Sequence, residues 1–297
     1  MNLEEAFLRY YKGTCPDATK GNENIIRILA ASMACLATRA MIDMAPPRPA
    51  TFFIAITGPA RTAKSTLLRT LRPVTYTTPI SELRGGSPEA IIRDLDERRH
   101  SFLIYDEGDQ LVKLSHRYMD TLPYLLNQMY YLDPIHMGRT TRKSVYIDSE
   151  SYFTNVYFAA LPGQWKEVEE IFGEGFRRRV LVLHTNRRIP YFKENRIDER
   201  AAEYLAMIQR SLRALSDVRV RARVEGLDVL AYRLSKELIP ETTKSCIEEY
   251  MYKMVVGRIL TSCTPVSLEL TVDEIVSELY ENIRDLGVEA LLDVSSM

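Results

Sequence analysis

The segment from Gly58 to Thr66, which reads GPARTAKST, carries residue types that can bind a phosphate chain. It follows the pattern G-x4-G-K-[ST], except that Ala63 stands in place of the second glycine. In such a loop the backbone N–H groups and the start of the next helix surround the β-phosphate, the lysine neutralises β- and γ-phosphate oxygens, and the next hydroxyl ligates Mg²⁺. We therefore predict that ATP is bound by Gly58, Pro59, Ala60, Arg61, Thr62, Ala63, Lys64, Ser65 and Thr66.

Two residues of this loop have predicted chemical roles. Lys64 is predicted to act in catalysis and Ser65 to hold Mg²⁺. Ala63 is tolerable at the glycine position if it has helical backbone angles, because its Cβ then costs little. The alternative is an ordinary strand–turn–helix with a solvated Lys64. An apolar strand directly before the loop and a helix directly after it favour the phosphate-binding interpretation.

An acidic pair follows the apolar segment Ser101–Tyr105. An acid at the end of a buried strand can hold Mg²⁺, directly or through water, and a second acid beside it can polarise the attacking water. We predict that Asp106 binds the metal ion and that Glu107 acts on the water. Two adjacent acids favour hydrolysis over phosphate transfer to a small metabolite. The alternative is that both acids only cap a strand end, near a turn at Gly108.

Polar residues farther along the chain are candidates for contacts with the γ-phosphate. Gln164 follows a third apolar segment, where ATPases often place a polar residue, and it is predicted to be catalytic. A positive stretch with no intervening acid contains Arg177, Arg178, Arg179, Arg187 and Arg188. These arginines could reach the γ-phosphate of a neighbouring subunit, contact nucleic-acid phosphates, or form a solvated face paired with nearby glutamates. A second basic cluster, Gly138–Lys143, is a candidate loop for contact with DNA.

The elements that must position these residues follow from hydrophobic periodicity. Apolar runs predict buried strands at 51–57, 101–105, 154–161 and 180–184. Helical patterns are found at 1–45, 65–71, 87–99, 121–132, 199–215, 225–238, 243–262 and 271–292. Strands separated by helices favour an α/β fold with a parallel sheet and helices on both faces. The predicted domains are an N-terminal helical segment (1–50), an α/β core (51–190) and an all-helical C-terminal domain (191–297).

Composition and charge exclude several classes of protein. The 297 residues are 46% hydrophobic, which excludes a disordered chain, and the net charge of −1 excludes a generally basic nucleic-acid binder. The four cysteines form no CxxC pair, so neither a disulfide framework nor a zinc site is predicted. The longest apolar stretch near the N-terminus is interrupted by charges. We therefore expect a cytoplasmic protein with no membrane partner.

The order of these motifs resembles a known family. GPARTAKST, GSPEAIIRDL, FLIYDEGDQL, YFAALPGQW and GFRRRVLVL follow one another as in the P-loop ATPases of phages, plasmids and archaeal mobile elements. Those proteins are similar to the ATPase part of virus-type primase–helicases, which are AAA+-like (superfamily 3-like). The resemblance covers about residues 22–262. It implies a P-loop NTPase core (AAA+/RecA-like) with an additional strand, and it places the catalytic arginine at Arg179. This chain has Arg61 and Ala63 where many members have glycine.

These observations together predict an ATPase that uses Mg²⁺. The first expectation is a helicase-like motor or remodeller of nucleic acid, single-stranded or duplex DNA, that acts as a ring or filament of identical subunits. One alternative is a regulatory or assembly ATPase that binds a protein partner through the acidic C-terminal helices. Another is a polynucleotide or small-molecule kinase, which the adjacent acids Asp106 and Glu107 disfavour because a kinase must protect ATP from water.

Overall fold

The structure is a computed structural model that describes residues 1–137, 145–185, 198–223, 247–288 and 291–296. Its helices are α1 (Leu3–Thr14), α2 (Pro16–Thr19), α3 (Glu23–Thr38), α4 (Lys64–Leu71), α5 (Pro88–Glu97), α6 (Gly108–Arg117), α7 (Leu122–Tyr131), α8 (Pro162–Arg177), α9 (Glu199–Ser216), α10 (Ile247–Cys263) and α11 (Val272–Asp285). Its strands are β1 (Met41–Asp43), β2 (Arg48–Pro49), β3 (Phe53–Thr57), β4 (Ser81–Leu83), β5 (His100–Tyr105), β6 (Ile135–Met137), β7 (Val145–Ile147), β8 (Phe153–Ala160), β9 (Leu181–His184), β10 (Val218–Arg223) and β11 (Leu292–Ser296).

A parallel sheet of five strands forms the centre of the fold, in the order β4-β5-β8-β3-β9. Every residue of β3, β5 and β8 is buried, because helices cover the sheet, and this explains why these strands read as continuous apolar runs. The α/β class and the four predicted strands are confirmed. The edge strand β4 was not predicted, since its three residues include Ser81 and Glu82 and carry no apolar run.

Helices from both ends of the chain pack on this sheet and on each other. α1 packs against α9, and α3 lies between α10 and the strands β5 and β8. α10 also bonds directly to the core, because the Tyr250 hydroxyl donates to the Phe53 carbonyl at 3.0 Å. The fully buried Lys253 donates to the Thr51 carbonyl at 2.8 Å. These bonds fix the C-terminal helices to the strand that leads into the candidate phosphate loop.

The prediction of an all-helical C-terminal region is wrong. A second sheet has the order β11-β10-β1-β2, in which β10 runs parallel to β1 and antiparallel to β11. β10 reads VRVRAR, with its apolar residues buried and its arginines directed outward, which is the two-residue alternation of a half-buried strand. The helix predicted at 271–292 ends at Asp285, and Leu292 begins β11. The predicted N-terminal helix likewise divides into α1, α2 and α3 and is followed by β1 and β2.

Three cysteines in the described ranges, Cys15, Cys35 and Cys263, are buried free thiols. The fourth, Cys246, and the helix predicted at 225–238 lie outside the described residues. Among the helices that the structure describes, none has both the length and the apolar character needed to cross a bilayer.

Candidate functional site

The loop that starts at Gly58 and the acidic pair that starts at Asp106 lie at the same edge of the central sheet. Each follows the carboxyl end of a parallel strand, β3 and β5 respectively, and β8 lies between those two strands. The Ser65 hydroxyl bridges the gap, since it donates to the Asp106 backbone carbonyl at 2.7 Å. In open α/β sheets ligands bind at this edge. The two motifs that were predicted to act together are therefore in direct contact.

The Lys64 side chain lies inside the loop and bonds to its backbone. Its ammonium group donates to the Gly58 carbonyl at 2.9 Å and to the Pro59 carbonyl at 2.6 Å. The side chain is only 9% exposed, and burial lowers the pKa of this lysine from its ordinary value. Both acceptors are neutral, so no carboxylate neutralises the charge through these bonds. An anion inside the loop would accept hydrogen bonds from the same N–H groups, and these bonds would be stronger because both partners are charged.

Gly58 is required by the close approach of Thr185, which follows β9. A Cβ at Gly58 would lie 2.2 Å from the Thr185 carbonyl oxygen and 2.4 Å from its Oγ1. Thr185 also fixes the loop from the side, because its hydroxyl lies 2.5 Å from the Thr62 hydroxyl and its amide donates to the Thr57 carbonyl at 2.8 Å. Sequence reasoning did not identify Thr185. Its position directly after an apolar strand was the available signal.

We expect Gly58→Ala to destabilise the protein by about 1–3 kcal/mol, the usual cost of forcing atoms into a packed site. Displacement of the loop should also weaken ATP binding, and each 1.4 kcal/mol of binding free energy that is lost raises the Kd for ATP about tenfold. Urea unfolding and nucleotide titration measure the two effects. Gly163→Ala is the matched control, because a Cβ there meets no atom within 4 Å. Equal stability of the two variants would contradict this account of Gly58.

Ala63 does not have the helical backbone angles under which it was expected to be tolerable. Its φ is 72° and its ψ is 0°, which is the left-handed region, and Arg61 is left-handed as well with φ 65°. A side chain costs about 1 kcal/mol or more in this region, and glycine avoids that cost. The expectation of helical angles was wrong, and the loop is formed against the local preference of two residues.

We expect Ala63→Gly to stabilise the protein by about 1 kcal/mol, because glycine removes the left-handed strain at this position. The control is Ala60→Gly, which makes the same change in the same loop at a residue without a positive φ. That variant should be neutral or destabilised, since glycine only adds freedom to the unfolded chain. Thermal or urea unfolding of both variants measures the difference. A destabilised Ala63→Gly variant would contradict the prediction.

Two arginines hold the predicted metal ligand. Arg69 Nε lies 2.6 Å from Asp106 Oδ2, and Arg72 Nη1 lies 3.4 Å from the same oxygen. These contacts leave Oδ1 of Asp106 as the oxygen available to another ligand. The arginines were not identified from the sequence, although Ser65, Arg69 and Arg72 have the i, i+4, i+7 spacing that places them on one helix face.

Glu107 is the exposed member of the acidic pair. Its side chain is 64% exposed and lies 3.7 Å from Arg69 Nη2. It precedes α6, with extended backbone angles. A carboxylate that reaches solvent at this edge can contact a water molecule beside the loop, which is the role predicted for Glu107.

Gln164 lies at the same edge, but its amide group is used by the protein itself. Its Oε1 accepts a hydrogen bond from the Leu161 amide at 2.9 Å, and its Nε2 donates to Asp109. The side chain lies over Gly108, where a Cβ would be 2.0 Å from Oε1. Gln164 therefore holds the starts of α6 and α8 beside Glu107, and its catalytic role stays a prediction.

Arg179 lies at the opposite edge, before the amino end of β9. It donates to the Gly175 carbonyl, and its guanidinium lies 4.8 Å from the centre of the Tyr131 ring. From this position it is separated from its own phosphate loop by the length of β9, so its predicted role requires a neighbouring subunit. Arg177 and Arg178 form ion pairs with Glu169 and Glu174, as the solvated-face alternative expects. The remaining predicted basic residues, Gly138–Lys143, Arg187 and Arg188, lie outside the described residues.

The donors at this edge fit Mg²⁺. A hydroxyl oxygen from Ser65 and a carboxylate oxygen from Asp106 are the hard ligands that Mg²⁺ prefers, and Mg²⁺ normally combines one or two carboxylates with waters and substrate phosphates. In the described ranges no three His, Cys, Asp or Glu side chains cluster as a ready-made metal site. The residues present therefore fit an ion that would arrive with a nucleotide.

No known family model matches the chain, and no curated protein matches it significantly.

Proposed function

We propose that this protein hydrolyses ATP and couples hydrolysis to the remodelling or translocation of nucleic acid. The observation that carries the proposal is the contact between the loop and the acidic pair, the 2.7 Å hydrogen bond from Ser65 to Asp106. A lysine, a hydroxyl and two carboxylates at the carboxyl edge of a parallel sheet are the groups that phosphoryl transfer from a nucleotide uses.

The strand order supports the same proposal. β8 lies between the loop-bearing strand β3 and the acid-bearing strand β5. This is the additional-strand arrangement that the family resemblance implies for AAA+-like ATPases. The extra strand also brings its own carboxyl end, with Gln164 beyond it, to the edge where the loop and the acids meet.

Each residue has a defined part in the proposed reaction. Lys64 exchanges its bonds to the Gly58 and Pro59 carbonyls for phosphate oxygens and neutralises their charge. Ser65 and Asp106 would hold Mg²⁺, and the ion would supply neutralisation of phosphate charge. Glu107 orients the attacking water and accepts its proton. Because Arg69 and Arg72 bind Asp106, they fix the carboxylate in one orientation.

The arginine that completes the site comes, in this proposal, from a second copy of the chain. Arg179 lies away from its own loop, so a ring or filament of identical subunits would present it to a neighbour's γ-phosphate. An arginine of this kind raises turnover by about 10³–10⁵-fold in other NTPases. The rate of hydrolysis per subunit is then expected to rise with protein concentration as subunits assemble.

A kinase is the second candidate, because a cleft of about 590 Å³ opens beside Asp106. Three arginines are among its lining residues, Arg72, Arg84 and Arg98. An acceptor with a phosphate group would fit such a cleft. The acidic pair favours water as the acceptor, so hydrolysis stays the first proposal.

Phosphate release from ATP, with and without single-stranded DNA, separates these functions. The proposed motor releases phosphate with Mg²⁺ alone and faster with DNA. An assembly ATPase also releases phosphate with Mg²⁺ alone, but DNA does not accelerate the release. A kinase releases little phosphate and transfers it to an added acceptor instead.

A further inference from the structure

A second cavity, of about 510 Å³, lies at the amino edge of the central sheet. Phe153, the first residue of β8, is part of its wall, whereas the phosphate loop lies beyond the carboxyl ends of the strands. With about 3.3 Å per residue, the six residues of β5 separate the two edges by about 20 Å. A ligand in this cavity therefore cannot touch ATP bound to the same subunit.

Three arginines line this cavity, and they come from separate parts of the second sheet and its flanking helix. Arg39 ends α3 in the left-handed conformation, with φ 47° and ψ 49°. Arg219 and Arg221 point outward from β10, because the residues that alternate with them along the strand are buried. Along β10 the arginine row continues to Arg223 at about 6.6 Å per step.

Two more guanidinium groups lie beside the cavity, on its aromatic wall. Arg48 and Arg179 lie 4.7 Å and 4.8 Å from the centre of the Tyr131 ring, which lines the cavity.

Three acids face this surface. Glu150 lies at the cavity wall, and Asp293 and Asp43 stand opposite Arg221 and Arg223 in the strand register. On the outward face of the second sheet, the described side chains thus place four arginines, Arg39, Arg219, Arg221 and Arg223, against three acids.

The Arg39 and Arg219 guanidiniums have no carboxylate partner in the part of the chain that the structure describes, whereas Arg69 and Arg72 each have two. Nε of Arg39 is buried and has no hydrogen-bond acceptor among the described residues.

The two arginines also affect nearby pKa values. Burial and the charge of Arg39 lower the pKa of Arg219. The pKa of the neighbouring buried His100 is lowered to about 4, mainly by burial and further by these two arginines. Folding therefore holds two like charges together at a cost.

We propose that this cavity binds the phosphate backbone of single-stranded nucleic acid, with one phosphate between Arg39 and Arg219 and the strand continuing along Arg221 and Arg223. Guanidinium groups form paired, charge-assisted bonds with phosphate, which would also satisfy the buried Nε of Arg39. A row of evenly spaced cations suits a repeated anion better than a single one. The inference rests on the proposed nucleic-acid partner and is independent of ATP hydrolysis.

The test is binding of fluorescein-labelled oligothymidylate by fluorescence anisotropy over a range of salt concentrations. The double variant Arg39→Gln, Arg219→Gln should bind at least about tenfold more weakly than wild type. The slope of log Kd against log salt should fall by about 0.7, since both arginines hold the same phosphate and each lost phosphate contact on a single strand contributes about 0.7. Excess AMP should not displace the oligonucleotide, because it offers one phosphate instead of a series.

The double variant Lys12→Gln, Arg200→Gln is the matched control. It removes two charges from exposed positions in the last turn of α1 and the first turn of α9. Arg200 lies about 27 Å along α9 from β10, so this variant should bind the oligonucleotide as wild type does. Thermal unfolding checks the fold, and the double variant should be no less stable than wild type because it removes repulsion between Arg39 and Arg219. Undiminished binding by the double variant would overturn the proposal. A wild type that hydrolyses ATP but binds no oligonucleotide, or releases it to AMP, would overturn this inference alone.

Discussion

Lys64→Ala should lower the rate of ATP hydrolysis by about 10²–10³-fold, the usual effect of removing one preorganised donor from a developing oxyanion. The Lys64 ammonium is the cation inside the loop, held by the Gly58 and Pro59 carbonyls at 2.9 Å and 2.6 Å. Without it, γ-phosphate oxygens lose a charge-assisted hydrogen bond in a buried setting. ATP affinity should fall as well, because the same contact exists in the ground state. Phosphate release and nucleotide titration measure the two effects.

Lys12→Ala is the control for this prediction. Lys12 is exposed in the last turn of α1, so its removal changes the net charge equally and leaves the loop intact. Urea unfolding of both variants separates a folding defect from a catalytic one. If folded Lys64→Ala retained more than about a tenth of the wild-type rate, the assignment of the loop would be wrong.

Glu107→Gln should keep ATP binding within about twofold of wild type and lower turnover by about 10²–10⁴-fold, the range that a general base contributes. Glutamine has the same shape as glutamate but cannot accept the proton of the attacking water. Glu107 is exposed, and its contact with Arg69 is long at 3.7 Å, so the fold does not depend on its charge. The variant should therefore accumulate bound ATP, which single-turnover quench experiments can measure.

Glu97→Gln, at the exposed end of α5, removes an identical charge away from the loop and should hydrolyse ATP at the wild-type rate. Loss of ATP affinity in Glu107→Gln, with turnover per bound ATP unchanged, would assign Glu107 to binding instead of to the water. In that case Asp106 would be the next residue to test as the base.

The parts of the site that could be predicted from sequence are those fixed by short stretches of chain. β3 and β5 are buried on both faces, so their apolar runs predict strands, and parallel strands place the residues after Thr57 and Tyr105 at one edge. The contact between Ser65 and Asp106 follows from that topology. The left-handed angles of Ala63 do not follow, because a residue's type sets only a preference for its backbone angles.

The features that could not be predicted depend on segments far apart in the chain. β1 pairs with β10 across more than half of the sequence, and neither strand has an apolar run that specifies its partner. The alternation in β10 predicts a strand but not the sheet it joins. The cavity that joins Arg39 to Arg219 exists only because these strands pair. Likewise, the arginine contacts to Asp106 depend on how α4 packs beside β5.

The most direct test of the central claim is Mg²⁺-dependent phosphate release from ATP by the purified wild-type protein, run beside Lys64→Ala and Glu107→Gln. We expect binding and hydrolysis by wild type, loss of both in Lys64→Ala, and binding without hydrolysis in Glu107→Gln. A folded wild-type protein that neither binds nor hydrolyses ATP, at any protein concentration and with or without single-stranded DNA, would show that this protein is not an ATPase.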